Sequence, residues 1–234
     1  MMRVVTFGFQ TWGHHTLSAV LDAGHEVALA VTHPVSNNPY EMMWNDSVEE
    51  LATSRGVPVH LAKKPDEALF EAVSAAEPDI IVANNWRTWL PTSIYSMPRL
   101  GTLNIHDSLL PKYAGFSPLI WALINGETHV GVTAHLMDEG LDTGPIIAQE
   151  SVAVGPNDRT VDLFHRTVGL FGELSLDAFD RIEHGPHDWL RQDPEHASFF
   201  HKRADPDNRI HWDRSARDLV NLVRAQTGPY PNAW

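Results

Sequence analysis

Asn104, His106 and Asp142 have the types and spacing to handle an acyl group. They stand in the stretches Leu103-Asn-Ile-His-Asp-Ser-Leu-Leu-Pro111 and His135-Leu-Met-Asp-Glu-Gly-Leu-Asp-Thr-Gly144. Residues two apart in a strand point to the same side, so a strand over 102–106 delivers the Asn104 amide and the His106 ring together at its end. Pro111 and Gly115 then force the chain into a loop. An amide held there can donate to a developing oxyanion, and an imidazole can move a proton. A carboxylate from a second loop can orient that imidazole and favour its charged form. The chain has no Cys and no Gly-x-Ser-x-Gly elbow. The equipment therefore lacks a nucleophile, and the acceptor must be one. Two blander readings compete: an Asn–His pair that only satisfies a strand end, and a metal cluster of Asp138, Glu139 and Asp142 with His135 and His106. The metal reading fits known ligand spacings poorly, since no His-Glu-x-x-His is present.

The elements that must position these residues alternate. Strand patterns cover 3–9, 26–32, 57–60 and 79–83, and helical patterns cover 16–23, 47–55 and 66–76. Such alternation predicts a parallel sheet wrapped on both faces, with ligands bound at the carboxyl ends of its strands. A helix over 118–125 opens on proline. Two β-rich runs follow at 130–137 and 146–154, then a long helix over 159–183 that Gly185-Pro186 breaks. The turn-rich stretch 33–40 reads as a loop, and the polar stretch 186–209 as a linker with little regular structure. A last helix covers 216–226. The organisation expected is a domain over 1–185 and a linker with a short helical C-terminal extension over 186–234. Gly8-Phe-Gln-Thr-Trp-Gly13 lacks the Gly-x-Gly-x-x-Gly of a dinucleotide site. Its Gln10, Thr11 and Trp12 are candidate substrate contacts at a strand end.

Asn-x-His before Ser-Leu-Leu-Pro, then Gly-Phe-Ser-Pro-Leu-Ile-Trp-Ala-Leu-Ile-Asn-Gly-Glu (115–127), Gly-Val-Thr-Ala-His-Leu-Met-Asp (131–138) and Leu-Asp-Thr-Gly (141–144), resembles the 10-formyltetrahydrofolate-dependent formyltransferases. The ordered match covers roughly 80–150, with a weaker continuation through Ile210-His-Trp212 and Leu222-Val-Arg-Ala225. The resemblance implies a Rossmann-like α/β fold, 10-formyltetrahydrofolate as formyl donor without a metal, and the triad Asn104, His106 and Asp142. It also implies a pterin slot at Thr88, Trp89 and Leu90, closed by Asp138, Glu139, Gly140 and Leu141. Ser108, Leu109, Leu110, Pro111 and Phe116 are expected to touch the cofactor nearby.

Composition narrows the acceptor. The net charge is −13, and no Lys or Arg stands between Arg3 and Arg55, a stretch that holds Asp22, Glu26, Glu41, Asp46, Glu49 and Glu50. That argues against a nucleic-acid partner, which needs phosphate neutralisation. No apolar run approaches a membrane span, and the absence of Cys fits a reducing cytoplasm; a homo-oligomer is left open. A sugar nucleotide would want a cation near the pocket, for which Lys112 is the candidate. A small amine or hydroxylamine needs little cationic surface. Val31-Thr-His-Pro, Tyr40-Glu, Trp44-Asn-Asp-Ser47 and Asn85-Trp-Arg-Thr-Trp-Leu90 look most similar to hydroxyornithine formyltransferases of siderophore pathways. N-hydroxyornithine is accordingly the preferred acceptor. A methionyl-tRNA formyltransferase, a formyltetrahydrofolate hydrolase and a folate-binding module without activity are the alternatives.

Overall fold

The computed structural model describes residues 1–35, 43–185 and 188–234. In chain order the elements that build the sheet are β1 (Arg3–Gly8), α1 (Gln10–Asp22), β2 (Glu26–Thr32), α2 (Val48–Ser54), β3 (Val59–Leu61), α3 (Glu67–Ala75) and β4 (Ile80–Asn84). They are followed by α4 (Thr92–Tyr95), β5 (Thr102–His106), β6 (Ala114–Gly115), α5 (Pro118–Ile124), β7 (His129–Leu136), β8 (Ile146–Ala153) and α6 (Thr160–His184). β9 (Phe199–Phe200) and α7 (Ala216–Ala225) complete the chain.

Seven strands form one sheet in the order β3-β2-β1-β4-β5-β7-β8. β1 to β5 are parallel, and β7 and β8 return antiparallel. The mostly parallel, Rossmann-like α/β architecture expected from the alternating pattern is what the chain adopts. The apolar runs of β1 and β4 are explained by burial on both faces. One face packs Val4, Ile80, Val82, Leu103 and Ile105 against α1, α5 and α6; the other packs Val5, Phe7, Ile81 and Ala83 against Leu69 and Val73 of α3. From β1 the strand order runs outward in one direction to β3 and in the other through β4 to β5. The crevice outside the carboxyl ends at that switch is where open α/β sheets bind ligands.

Three expectations are corrected. The first helix begins at Gln10, directly after β1, and not at Thr16. Gly8 and Gly13 allow this: a Cβ on Gly13 would lie 2.5 Å from the Gly8 backbone, and one on Gly8 would lie 2.7 Å from Gly13 Cα. Gln10, at φ 53, makes the turn. The third strand runs Val59–Leu61, two residues later than the pattern indicated. The stretch after α6 is not irregular. Leu190 bridges Ile146, β9 pairs in parallel with β6, and 3₁₀ turns form at Pro194–His196 and Asp205–Asn208. Its polar residues work as local caps, as Asp193 does in accepting from the Glu195 amide at 2.9 Å. Phe200 anchors it, stacked on Tyr113 with ring centroids 4.9 Å apart and packed on Trp121 at 5.2 Å. Of the expected 33–40 loop, residues 36–40 lie outside the described residues, as do Tyr40, Glu41 and Pro186.

Gly13→Ala is expected to lose about 1–3 kcal/mol of stability, because α1 must lift off β1 to admit the methyl group. Urea unfolding measures this; unchanged stability would show that the close approach does not pin α1.

Candidate active site

Asn104 and His106 share one side of β5, as their spacing requires, and emerge where the sheet meets the crevice. Asp142 comes from the loop between β7 and β8. That loop is organised by its own residues: the Asp138 carboxylate accepts from the Gly140 amide at 3.0 Å and the Thr143 hydroxyl at 2.7 Å. Gly144 has no room for a side chain, since a Cβ would sit 1.8 Å from the Leu136 carbonyl oxygen. Asp142 itself is held at φ 57, in the left-handed region that non-glycine residues rarely adopt.

The three side chains converge. Asp142 Oδ1 accepts from Asn104 Nδ2 at 3.2 Å, and Oδ2 accepts from the Gly115 amide at 2.9 Å. His106 Nδ1 lies 3.8 Å from Oδ2, close enough for charge attraction though too far for a hydrogen bond. His106 Nε2 donates to the Tyr113 carbonyl at 3.0 Å. Asn104 Nδ2 also lies 3.0 Å from Nε2 of His135, which stands opposite Asn104 in the β5–β7 register. The Asn104 amide is thus shared between Asp142 and His135, and it can serve an oxyanion only by exchanging one of them for the substrate.

Burial works against charge on His106, but the carboxylates of Asp142 and Asp107 and the Tyr113 carbonyl outweigh it, so its pKa is raised above 6.5. Burial likewise opposes ionisation of Asp142. His106, His135 and the Gly115 amide overcome that and hold its carboxyl well below the usual carboxylate range. Asp107 goes the other way: burial pushes its pKa up more than His106 draws it down. The centre therefore favours the charged form of the imidazole, beside an ionised Asp142 carboxylate and a more weakly acidic Asp107.

These groups open into a cleft of about 860 Å³. One part is lined by Trp86, Arg87, Thr88, Trp89, Leu90 and Tyr95 with Met137, Asp138, Gly140 and Leu141. Trp86 is stacked on His33 at 4.0 Å and set edge-on against Phe7 at 5.1 Å. The Trp86 indole nitrogen and the Thr88 hydroxyl are buried here without a hydrogen-bond partner among the described residues. Buried polar groups are rarely left so, and a flat apolar slot edged by unpaired polar atoms suits a polar-rimmed aromatic ring. Trp89 and Phe116 present large apolar surfaces at the cleft, 57% and 43% exposed. Another part is lined by Gln10, Trp12, Trp44, Asn84 and Asp107 with Phe164, Lys202, Arg203, Gln226 and Tyr230.

Several expected contacts fall elsewhere. Ser108, Leu109, Leu110 and Pro111 do not line the cleft. The Ser108 hydroxyl donates to the Lys112 carbonyl at 2.9 Å, Leu109 packs over Gly131, and Leu110 joins Ala114 and Ile146 in a separate apolar cluster. Lys112 lines a smaller hollow of about 140 Å³, stands 3.8 Å from Glu127 and does not line the main cleft. Thr11 is buried under the Trp44 carbonyl, to which its amide donates at 3.2 Å, and Glu139 points to solvent. Sequence reasoning set His135 beside His106 and Asp142 only as a metal ligand, not as the partner of Asn104, and it missed Asp107 as part of the centre and the 188–208 stretch as part of the cleft. His135 had one signal, a lone imidazole in an apolar strand. Among the described residues no group of three or more His, Asp or Glu is placed to hold a metal ion, and no helix is long and apolar enough to cross a membrane.

A family profile described as formyl transferase matches residues 2–173, and a second, the formyl transferase C-terminal domain, matches 204–234. The chain belongs to the formyl transferase family. Among solved structures it is similar to WlaRD, a sugar 3N-formyl transferase crystallised with dTDP and 5-N-formyl-THF. The TM-score is 0.74 at 20% identity, over 96% of this chain and 78% of that one. An N-formyltransferase from Helicobacter canadensis, in complex with folinic acid and dTDP-3-aminofucose, gives 0.74 at 23% identity, over 96% and 80%. HypX from Aquifex aeolicus, in complex with tetrahydrofolic acid, gives 0.73 at 19% identity; 99% of this chain covers 35% of that one. At these identities the similarity establishes the fold.

Asp142→Asn is expected to lower the His106 pKa, because the attraction that offsets burial disappears. The sign follows from linkage: with a folded value above 6.5, the charged ring contributes stability fully below that pH and loses it as pH rises through the folded value. A ¹⁵N-edited imidazole titration reads the shift, and an unchanged His106 midpoint would exclude the pairing.

Proposed function

We propose that this protein is a 10-formyltetrahydrofolate-dependent N-formyltransferase whose acceptor is the amine or hydroxylamine nitrogen of a small molecule, with N-hydroxyornithine the first candidate. The observation that carries the reading is the convergence of the Asn104, His106 and Asp142 side chains in the wall of one cleft with an apolar slot alongside. The folate supplies the formyl carbon. Asn104, exchanging His135 for the substrate, donates to the formyl oxygen as negative charge develops there, the kind of preset donor whose removal costs about 3 kcal/mol. His106, releasing the Tyr113 carbonyl, gives its Nε2 proton to the leaving nitrogen, and Asp142 favours the charged form of the ring for that step. The Trp86–Leu90 stretch and Leu141 hold the pterin, with Thr88 and Trp86 satisfying its edge. Residues 1–185 act as the catalytic domain, and 186–234 form an extension that completes the acceptor side through Arg203, Gln226 and Tyr230.

A compact acceptor is supported by how the acceptor side is finished. The Trp44 indole donates to the Tyr230 hydroxyl at 3.1 Å, joining parts of the chain 186 residues apart across the cleft lining. One of its cations is engaged within the protein, Arg87 donating to the Gln10 side chain at 2.7 Å. Arg203 donates to the Asn208 side chain at 2.7 Å and lies over Trp121, while its Nη1 is buried without a hydrogen-bond partner among the described residues. A sugar nucleotide is the second reading, favoured by Lys202, which lines the same cleft, and by the dTDP-sugar enzymes among the similar structures.

The test is loss of formyl from 10-formyltetrahydrofolate with and without N-hydroxyornithine, ornithine or an amino-sugar nucleotide. Loss that depends on the first supports the proposal, loss only with the last moves the acceptor to a sugar nucleotide, and loss without any acceptor indicates a hydrolase. His106→Ala is expected to abolish turnover with folate affinity little changed, and Asn104→Ala to cut kcat by about 10²–10³. Wild-type turnover by His106→Ala would refute the mechanism.

A further inference from the structure

Asp107 is absorbed by none of the roles above. It follows His106 directly, at the end of β5, and it lines the cleft. Among the described residues it has one side-chain hydrogen-bond donor, the Trp12 indole at a long 3.4 Å, and no Lys or Arg ion pair. Aromatic rings stand round it. Trp12 packs on Phe164 with centroids 4.7 Å apart, Phe164 packs on Trp44 at 4.1 Å, and Trp44 holds the Tyr230 hydroxyl. Trp12, Trp44, Phe164 and Tyr230 all line the cleft with Asp107. A carboxylate with no Lys or Arg partner among the described residues, set beside His106 and among aromatic rings, fits an amino group: the carboxylate accepts its N–H bonds, and the rings attract any positive charge it carries.

Resting on the formyltransferase reading, we propose that Asp107 binds the acceptor nitrogen that becomes formylated and takes its proton. The nitrogen lone pair forms the new C–N bond, and its N–H proton passes to the Asp107 carboxylate. The bond from the formyl carbon to the folate nitrogen breaks as His106 delivers its proton to that nitrogen. The proton on Asp107 then returns to His106, directly or through water, so the cycle closes without a further reactant. Two neighbouring groups thus divide the proton traffic: Asp107 on the acceptor side and His106 on the donor side. The buried surroundings that make Asp107 a weaker acid than an ordinary aspartate also make it a better base near neutrality. The arrangement selects acceptors with a free amino or hydroxylamino group on a slim chain, and it disfavours a phosphate-bearing end at this position.

The experiment compares wild type, Asp107→Asn and Asp107→Glu with N-hydroxyornithine as acceptor and 10-formyltetrahydrofolate as donor. Thermal melting and the affinity for 5-formyltetrahydrofolate are measured on each. Asp107→Asn should lose about 10²-fold or more in kcat/KM for the acceptor, with donor affinity and melting unchanged, and Asp107→Glu should recover part of the loss. Wild-type kcat/KM in Asp107→Asn overturns the proposal while leaving the formyltransferase reading intact. Loss of donor affinity or melting in both variants, in step with activity, overturns it too, since Asp107 would then be structural. Absence of any acceptor-dependent transfer by wild type sinks the underlying reading, and this proposal with it.

Discussion

The buried carboxylate of Asp142 is the constraint on which the rest of the site depends. It binds the end of β5 through Asn104 and the end of β6 through the Gly115 amide, and it attracts the His106 imidazole. A carboxylate taken out of water is costly unless fully partnered, and here both oxygens have donors. The left-handed backbone of residue 142 and the forbidden Cβ at Gly144 show that the loop is shaped to bring this one group inward. Gln192 then clamps it from outside, its amide donating to the carbonyls of Asp142 at 2.8 Å and Gly144 at 2.7 Å. Charge on His106 is the product of that arrangement.

The sheet supplies the place. Its switch between β1 and β4 opens a crevice beside β5, and the antiparallel β7 puts His135 opposite Asn104. Gly8 and Gly13 let α1 start at once, so Gln10 and Trp12 reach the crevice from a helix and not from a loop. The chain after α6 returns over β6 and lines the cleft with Arg203, Gln226 and Tyr230.

Much of this was legible in the sequence because it is encoded locally. The alternation of apolar strands and helices indicated the parallel sheet of β1 to β5, the two-residue spacing of Asn104 and His106 gave their common side, and Asp142 could be paired with them. The start of α1 was hidden because its signal is a contact between two glycines, invisible to periodicity. Residues 188–208 looked like a linker because caps and ion pairs use the same residue types as solvated chain; only Phe199-Phe200 marked an anchor. His135 depended on strand register, and Ser108 to Pro111 were placed by resemblance on a face that the turn directs away from the cleft.

The most direct test of the account is the pH dependence of kcat for acceptor-dependent formyl transfer, compared between wild type and Asp142→Asn. If the carboxylate keeps His106 charged for the proton it delivers, wild type loses rate on the alkaline side as that ring deprotonates. In the variant the same limb moves to lower pH. An alkaline limb that stays in place when the carboxylate is removed would contradict the account.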